Sequence, residues 1–258
     1  MIRALSSLLL LAALAVWPTA RAADAKPTIV LVHGAFADAS SWNGVAAVLQ
    51  RQGYPVVALA NPLRGVGADA GYLADVVKTI KGPLVLVGHS YGGLVIGEVP
   101  PTAGDIRALV FVAAFAAAPG ETAAGLSGKF PGSSLGAALA PPVALSDGGA
   151  DLYIRQDKFH AQFAADVPAP AATLMAITQR PVTEGALNEA ARVASWQQLP
   201  SWFIHGDRDL NIPLAALDFM AERAHARKTV VVPGASHVVM VSHPDAVAQL
   251  VIAAANAH

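Results

Sequence analysis

The chain of 258 residues has no cysteine. That single absence excludes disulfide frameworks, iron–sulfur clusters, thiolate zinc sites and a cysteine nucleophile. Charge is scarce as well. Only 14% of residues are charged, and 17 Lys and Arg against 18 Asp and Glu leave a formal net charge of −1. Binding a polyanion requires a basic patch or stripe, so no nucleic-acid partner is expected. Apolar residues make up 54% of the chain. With glycine added and tyrosine left out the share is roughly 61%, above the ~45–50% of ordinary soluble domains, which argues against disorder. The length suits one large α/β domain with a substantial core.

Part of the apolar excess lies at the start. Met1-Ile2-Arg3 forms a short basic region, Leu5 to Trp17 an almost unbroken apolar run, and Ala20-Arg21-Ala22 a small-x-small cleavage site. This pattern predicts a signal peptide over residues 1–22, cleaved after Ala22, with residues 23–258 as the mature domain. A membrane anchor needs ~20 apolar residues, and Pro18, Arg21 and Asp24 interrupt this run too early. Loss of Arg3 and Arg21 takes the net charge to −3. Without cysteine there is no lipid attachment site of the lipobox type. The expected product is a free exported protein, periplasmic or extracellular, with no stable membrane anchor.

Beyond the leader, apolar runs of strand length alternate with helical patterns. Strands are predicted at Thr28–His33, Tyr54–Ala60, Leu84–Val87, Ala108–Val112, Ser201–His205 and Lys228–Val232. Helices are predicted at Ser41–Gln52, Ala68–Lys81, Gly92–Val99, Pro213–Ala226 and from Pro244 onward, the last with Ser242 as N-cap. Continuous β-branched runs alternating with helices predict a doubly wound, mostly parallel sheet. From about residue 116 to 196 the rhythm breaks into a Pro-, Gly- and Ala-rich excursion with weak helical patches at Asp151–Ala165 and Thr183–Ser195. An excursion of that length is expected to be a helical cap inserted into the fold.

Gly88-His89-Ser90-Tyr91-Gly92 stands between a predicted strand and a predicted helix. This is the G-x-S-x-G nucleophile elbow in its strand–turn–helix setting. Glycine at the flanking positions lets the tight turn close and leaves the serine hydroxyl exposed above the sheet. Serine at neutral pH is a weak nucleophile and requires a base, itself oriented by an acid. Two later strands end in suitable groups: Gly206-Asp207-Arg208-Asp209 after one, and Pro233-Gly234-Ala235-Ser236-His237 after the other. Both emerge at the carboxyl edge beside Ser90, with Asp207 and Asp209 as alternative acids and His237 as the base. An acyl-transfer oxyanion also needs backbone N–H donors. Tyr91, directly after the serine, is the expected first donor; the second comes from His33-Gly34-Ala35-Phe36 after the first strand, with Ala35 ahead of Phe36.

Taken together, these residues resemble the α/β-hydrolase superfamily over nearly the whole mature chain. Val32-His33-Gly34-Ala35-Phe36 with Ser40-Ser41-Trp42 is similar to the small-esterase branch containing plant methylesterases, hydroxynitrile lyases and related bacterial hydrolases. The resemblance implies a Ser–His–Asp mechanism without cofactor, a cap over an apolar pocket, and Asp209, at the G-x-x-D position, as the acid. The lyases of that branch carry a lysine after the catalytic histidine, where this chain has Val238, so cyanohydrin cleavage is disfavoured. The antiparallel strand pair opening the full eight-stranded fold has no counterpart ahead of Thr28, which predicts about six strands.

Phe36, Trp42, Phe159 and Phe163 are candidate pocket residues, with Leu174 and Met175 as further cap positions that line either a pocket or a cap core. His89 is read as a positional residue pointing into the structure. His160, His225, His243 and His258 lack partners at metal-ligand spacing, and no metal is expected. The function these features predict is an exported serine hydrolase acting on a small, mostly apolar carboxylic ester. Two rivals are a cofactor-free perhydrolase or haloperoxidase, and a binding protein that kept the fold and lost catalysis.

Overall fold

The computed structural model describes residues 26–257. The predicted signal peptide, residues 1–22, and His258 lie outside the described residues. The chain opens with β1 (Thr28–Val32), α1 (Asn43–Arg51), β2 (Val56–Leu59), α2 (Val66–Thr79), β3 (Pro83–His89), α3 (Tyr91–Glu98) and β4 (Asp105–Val112). The excursion follows, with α4 (Ala123–Gly128), α5 (Leu135–Ala138), β5 (Val143–Ala144), β6 (Ala150–Leu152), α6 (Gln156–Phe163), α7 (Ala169–Thr178), β7 (Val182–Thr183) and α8 (Glu184–Asn188). The βα rhythm then resumes as β8 (Ser201–Gly206), α9 (Leu214–Arg223), β9 (Lys228–Val232), α10 (Val239–Ser242) and α11 (Pro244–Ala255).

Six strands form one sheet in the order β2-β1-β3-β4-β8-β9, with every pairing parallel. Strands such as Leu84–Val87 and Leu109–Val112 are fully buried, which is why they read as unbroken apolar runs. The order fixes where a site forms. β1 leads leftward to β2, whereas every later strand is added to the right, starting with β3, so the direction of winding reverses between β1 and β3. Right-handed crossovers place the connecting helices on opposite faces there, and a crevice opens outside the carboxyl ends of the two strands. Those ends carry the His33 loop and the Ser90 elbow.

The excursion differs from a purely helical cap. Its strands β5, β6 and β7 form a small antiparallel sheet, which the Pro- and Gly-rich sequence did not signal. Charged side chains tie it to the body. Glu189 accepts from the N–H groups of Val66 and Gly67, capping α2 from outside, and Glu98 accepts from the N–H groups of Arg192 and Val193. Arg223 of α9 pairs with Glu121. At the C-terminal end, His243 rather than Ser242 is the N-cap of α11. Ser242 closes α10 instead, its hydroxyl 2.9 Å from Nδ1 of His243.

Candidate active site

β3 runs straight into the elbow, where Ser90 takes φ +53° and ψ −121°. A non-glycine residue at positive φ is strained and survives only where its surroundings over-determine it. Here they do. Ser90 N–H donates to Val112 O at 3.2 Å, and Ser90 C=O accepts from Gly93 N at 2.9 Å and Phe115 N at 3.2 Å. Because the peptide is planar and trans, fixing that carbonyl aims the Tyr91 N–H the opposite way. Tyr91 opens α3, so its N–H has no partner within the helix. The Tyr91 hydroxyl runs the other way, donating to buried Asp69 Oδ2 at 2.9 Å. Burial raises the Asp69 carboxyl above its ordinary range, and the same burial raises the Tyr91 phenol.

The loop after β1 is built on the same plan. His33 Nε2 accepts from Asn61 N–H at 3.0 Å, so the proton sits on Nδ1, which donates to Gly34 O at 3.0 Å. Burial lowers the pKa of this imidazole, in keeping with a neutral ring. With the Gly34 carbonyl held, the Ala35 N–H of the same peptide is directed away from it. Phe36, at φ +60°, spends its own N–H on Arg180 O of the cap at 3.0 Å. Gly34 packs directly against the elbow. A Cβ there would stand 2.6 Å from Ser90 Cβ and 2.7 Å from His89 O, so only glycine lets the loop and the serine approach.

The two candidate acids separate cleanly. Asp207, 35% exposed at its side chain, accepts from Gly234 N at 2.7 Å and so braces one loop against the next. Asp209 is buried; its Oδ2 lies 2.6 Å from His237 Nδ1, and its Oδ1 accepts from Asn211 N at 2.8 Å and Ile212 N at 3.0 Å. His89, from the elbow, points down as its position implied. Its Nε2 bonds His237 O at 3.2 Å, and the two rings lie 4.8 Å apart. Burial holds His89 well below the ordinary histidine pKa. On the other flank Asp166 of the cap accepts from Ser236 N at 3.1 Å, fixing the loop that carries His237.

Ser90, Tyr91, Ala35, Phe36 and His237 share the wall of one cavity of about 310 Å³. Among the described residues no hydrogen bond joins Ser90 to His237; such bonds tighten in the substrate complex. Phe115, Leu135, Leu139 and Phe163 make the rest of the wall largely apolar, and Asn211 borders it with its amide oxygen engaged by Gln162. Two expected pocket residues are not on it. Trp42 is buried beneath the elbow, edge-on to His89 at 6.5 Å, and Phe159 packs behind Phe163 with ring centroids 4.9 Å apart. Leu174 faces outward, 64% exposed, while Met175 borders a neighbouring recess of about 210 Å³ on the far side of Phe36. A recess of about 600 Å³ lies at the opposite, amino end of the strands, by Lys26, Arg107 and Arg227, away from all these groups. Asn211 and the wall residues from α5 escaped sequence reasoning. The one signal for Asn211 was its place two residues after Asp209.

An elbow serine at a topological switch point, facing a histidine held by a buried aspartate, defines an α/β enzyme of the hydrolase class. Comparison with known proteins agrees. A sequence profile of the alpha/beta hydrolase family matches residues 29–250, and the chain belongs to that family. It is 25% identical over 246 residues to alpha/beta hydrolase nvfD of Aspergillus novofumigatus, covering 88% of this chain and 95% of that one. It is 27% identical over 243 residues to the pyrethroid hydrolase of Sphingobium wenxiniae, covering 86% and 85%. Among solved structures, polyneuridine aldehyde esterase superposes with a TM-score of 0.76 at 19% identity, covering 88% of this chain and 98% of that one.

Proposed function

We propose that this hydrolase cleaves small, mostly apolar carboxylic esters through Ser90, His237 and Asp209. The observation that carries the proposal is the buried 2.6 Å contact between Asp209 and His237, on a cavity shared with the strained Ser90. In this mechanism Asp209 keeps the His237 proton on Nδ1 and leaves Nε2 free as a base. Nε2 takes the Ser90 proton as Oγ attacks the ester carbonyl. The Ala35 and Tyr91 N–H groups receive the oxyanion, each such donor contributing roughly 2.7–4 kcal/mol. His237 then protonates the departing alcohol, and a water activated by the same nitrogen releases the acid. Apolar walls, the hydrolysis named in the pyrethroid hydrolase and the ester chemistry named in polyneuridine aldehyde esterase support the substrate class.

Export belongs to the same proposal, supported by the basic start, apolar run and Ala20-Arg21-Ala22 site. The test is turnover and labelling of the purified protein. Wild type is expected to hydrolyse p-nitrophenyl acetate and to react with a fluorophosphonate probe, and Ser90→Ala to do neither. Full activity in Ser90→Ala overturns the mechanism. Mass spectrometry of the exported product is expected to find Ala23 as its first residue.

A further inference from the structure

One brace on the loop that carries His237 comes from the cap rather than from the hydrolase body. Within the body, Gly234 N donates to Asp207 Oδ1 at 2.7 Å, Arg208 N to Ala235 O at 3.1 Å, and His89 Nε2 to His237 O at 3.2 Å. Ser236, the residue before His237, sends both of its donors to the cap instead. Its N–H donates to Asp166 Oδ1 at 3.1 Å, and its hydroxyl donates to the same oxygen. Ser236 is 2% exposed, so water is no ready substitute for that acceptor.

Asp166 is itself held firmly. It stands between α6 and α7 in a turn where Ala164 N donates to His160 O at 3.1 Å, Val167 N to Ala164 O at 3.0 Å, and His160 Nε2 to Val167 O at 2.9 Å. Its side chain is 17% exposed, with Oδ2 3.5 Å from Nδ1 of His243. Burial pushes this carboxyl upward, yet the Ser236 and Ser242 hydroxyls hold it below the ordinary range, so at neutral pH it stays an anion and a strong acceptor. Shortly before it in the chain, Phe163 lines the Ser90 cavity with its ring 5.1 Å from the His237 ring, and its carbonyl oxygen lies 3.4 Å from Ser236 Oγ. The wall of the pocket and the base of the reaction therefore share one anchor.

We infer that Asp166 is a positioning residue for His237, acting through Ser236 so that the seating of the cap is coupled to the alignment of the base. The inference rests on the proposed Ser90, His237 and Asp209 mechanism and deepens it. Nε2 of His237 has to meet the Ser90 hydroxyl in the first half of the reaction and water in the second, and a misplacement of about 1 Å can cost about 10²-fold in rate. Without the Asp166 carboxylate both Ser236 donors lose their acceptor, and the loop keeps only its braces to the body.

Asp166→Ala and Asp166→Asn test this on p-nitrophenyl acetate, with kcat expressed per folded enzyme as judged by circular dichroism. His237 acts in both halves of the reaction, so kcat reads its alignment whichever half is slower. Asp166→Ala is expected to lower kcat about tenfold with KM nearly unchanged. Asp166→Asn keeps an oxygen for the Ser236 donors, and its kcat is expected to be at least three times that of Asp166→Ala. A fall of threefold or more that Asp166→Asn recovers in this way supports the inference. A smaller fall, a loss carried by KM alone, or one that Asp166→Asn does not recover overturns it, because a bond that only holds the cap in place weakens folding and leaves kcat per folded enzyme intact. If Asp166→Ala fails to fold, Ser236→Ala, which loses the hydroxyl donor alone, carries the test. There a fall in kcat of twofold or more supports the inference and a smaller one overturns it. Failure of the ester proposal itself is separately visible, as turnover that survives Ser90→Ala.

Discussion

Asp209 and His237, 28 positions apart in sequence, meet through a buried Oδ2–Nδ1 contact of 2.6 Å, and the second Asp209 oxygen is occupied by two backbone N–H groups. Three donors converge on one carboxylate, so it has no freedom to turn away from the imidazole. Asp207, two residues earlier, spends its carboxylate on Gly234 N. Asp209→Asn replaces an acceptor with an amide and allows the wrong imidazole tautomer. It is expected to lower kcat on the order of 10³–10⁴-fold. In Asp207→Asn the remaining oxygen still accepts from Gly234, and kcat is expected to stay within about threefold, as for surface changes outside a catalytic unit. Equal losses in both variants, measured on p-nitrophenyl acetate, contradict this assignment.

The close approach of Gly34 to Ser90 gives a second prediction. In Gly34→Ala the new methyl meets Ser90 Cβ at 2.6 Å and His89 O at 2.7 Å, neither of which can yield without moving the elbow or the His33 loop. Overpacking of this kind costs about 1–3 kcal/mol of stability. Displacing the Ala35 N–H from the oxyanion costs more in rate, on the order of 10²–10³-fold in kcat, as for loss of one donor. The two effects are read separately, the first from urea unfolding and the second from kcat at saturating substrate. A rate loss no larger than the stability loss predicts by unfolding alone contradicts the role given to Ala35.

How much of this was legible in the sequence differs between the sheet and the cap. Unbroken apolar runs of strand length such as Ile29–Val32 and Leu109–Val112, alternating with helical patterns, read as strands buried on both faces, so the six strands of the sheet were legible. The elbow was legible because a Cβ at Gly88 would run into the Gly92 carbonyl and one at Gly92 into the Val32 carbonyl, so only glycine fits on either side of the strained Ser90. The cap was legible only as an excursion with helical patches, since its strands of two or three residues carry too short a pattern to detect. The direction of a side chain was not legible. Trp42 and Phe159 are aromatic and close to the site in sequence or space, yet each lies behind another ring, Trp42 under His89 and Phe159 behind Phe163.

Tyr91 joins the proposed oxyanion amide to buried Asp69, which also accepts from Arg64 N with both oxygens at 3.2 Å. Tyr91→Phe removes one donor from a carboxylate that burial already drives toward protonation. Loss of a hydrogen bond to a charged group costs about 1.5–3 kcal/mol, and a lower urea midpoint at pH 7.5 is the expected outcome. The folded-state pKa of Asp69 should rise further in the variant. Its destabilisation should therefore shrink as the pH falls and the carboxyl takes up a proton, and a deficit independent of pH contradicts the coupling.

The buried histidines set the last expectation, the direction in which acid acts on the fold. Burial lowers the pKa of His33, His89 and His205, although Asp218 at 3.1 Å from His205 pulls the other way. In the unfolded chain each returns to about 6.5. As pH drops below that value the unfolded state takes up protons while the folded state resists them, so stability is fully present above about pH 6.5 and falls toward the folded-state values. Each histidine contributes a slope of up to about 1.36 kcal/mol per pH unit in that window. For His33 the geometry gives a specific cost, because protonating Nε2 turns the acceptor of the Asn61 N–H into a donor and releases the turn that aims Ala35. Urea midpoints measured from pH 8 to pH 5 should be level at first and then decline. His33→Gln should weaken that decline, since one titrating group is gone, while lowering kcat at every pH because the Gly34 carbonyl loses its ring donor. A wild-type midpoint that rises as the pH falls from 6.5 to 5 contradicts the neutral, buried state of these rings.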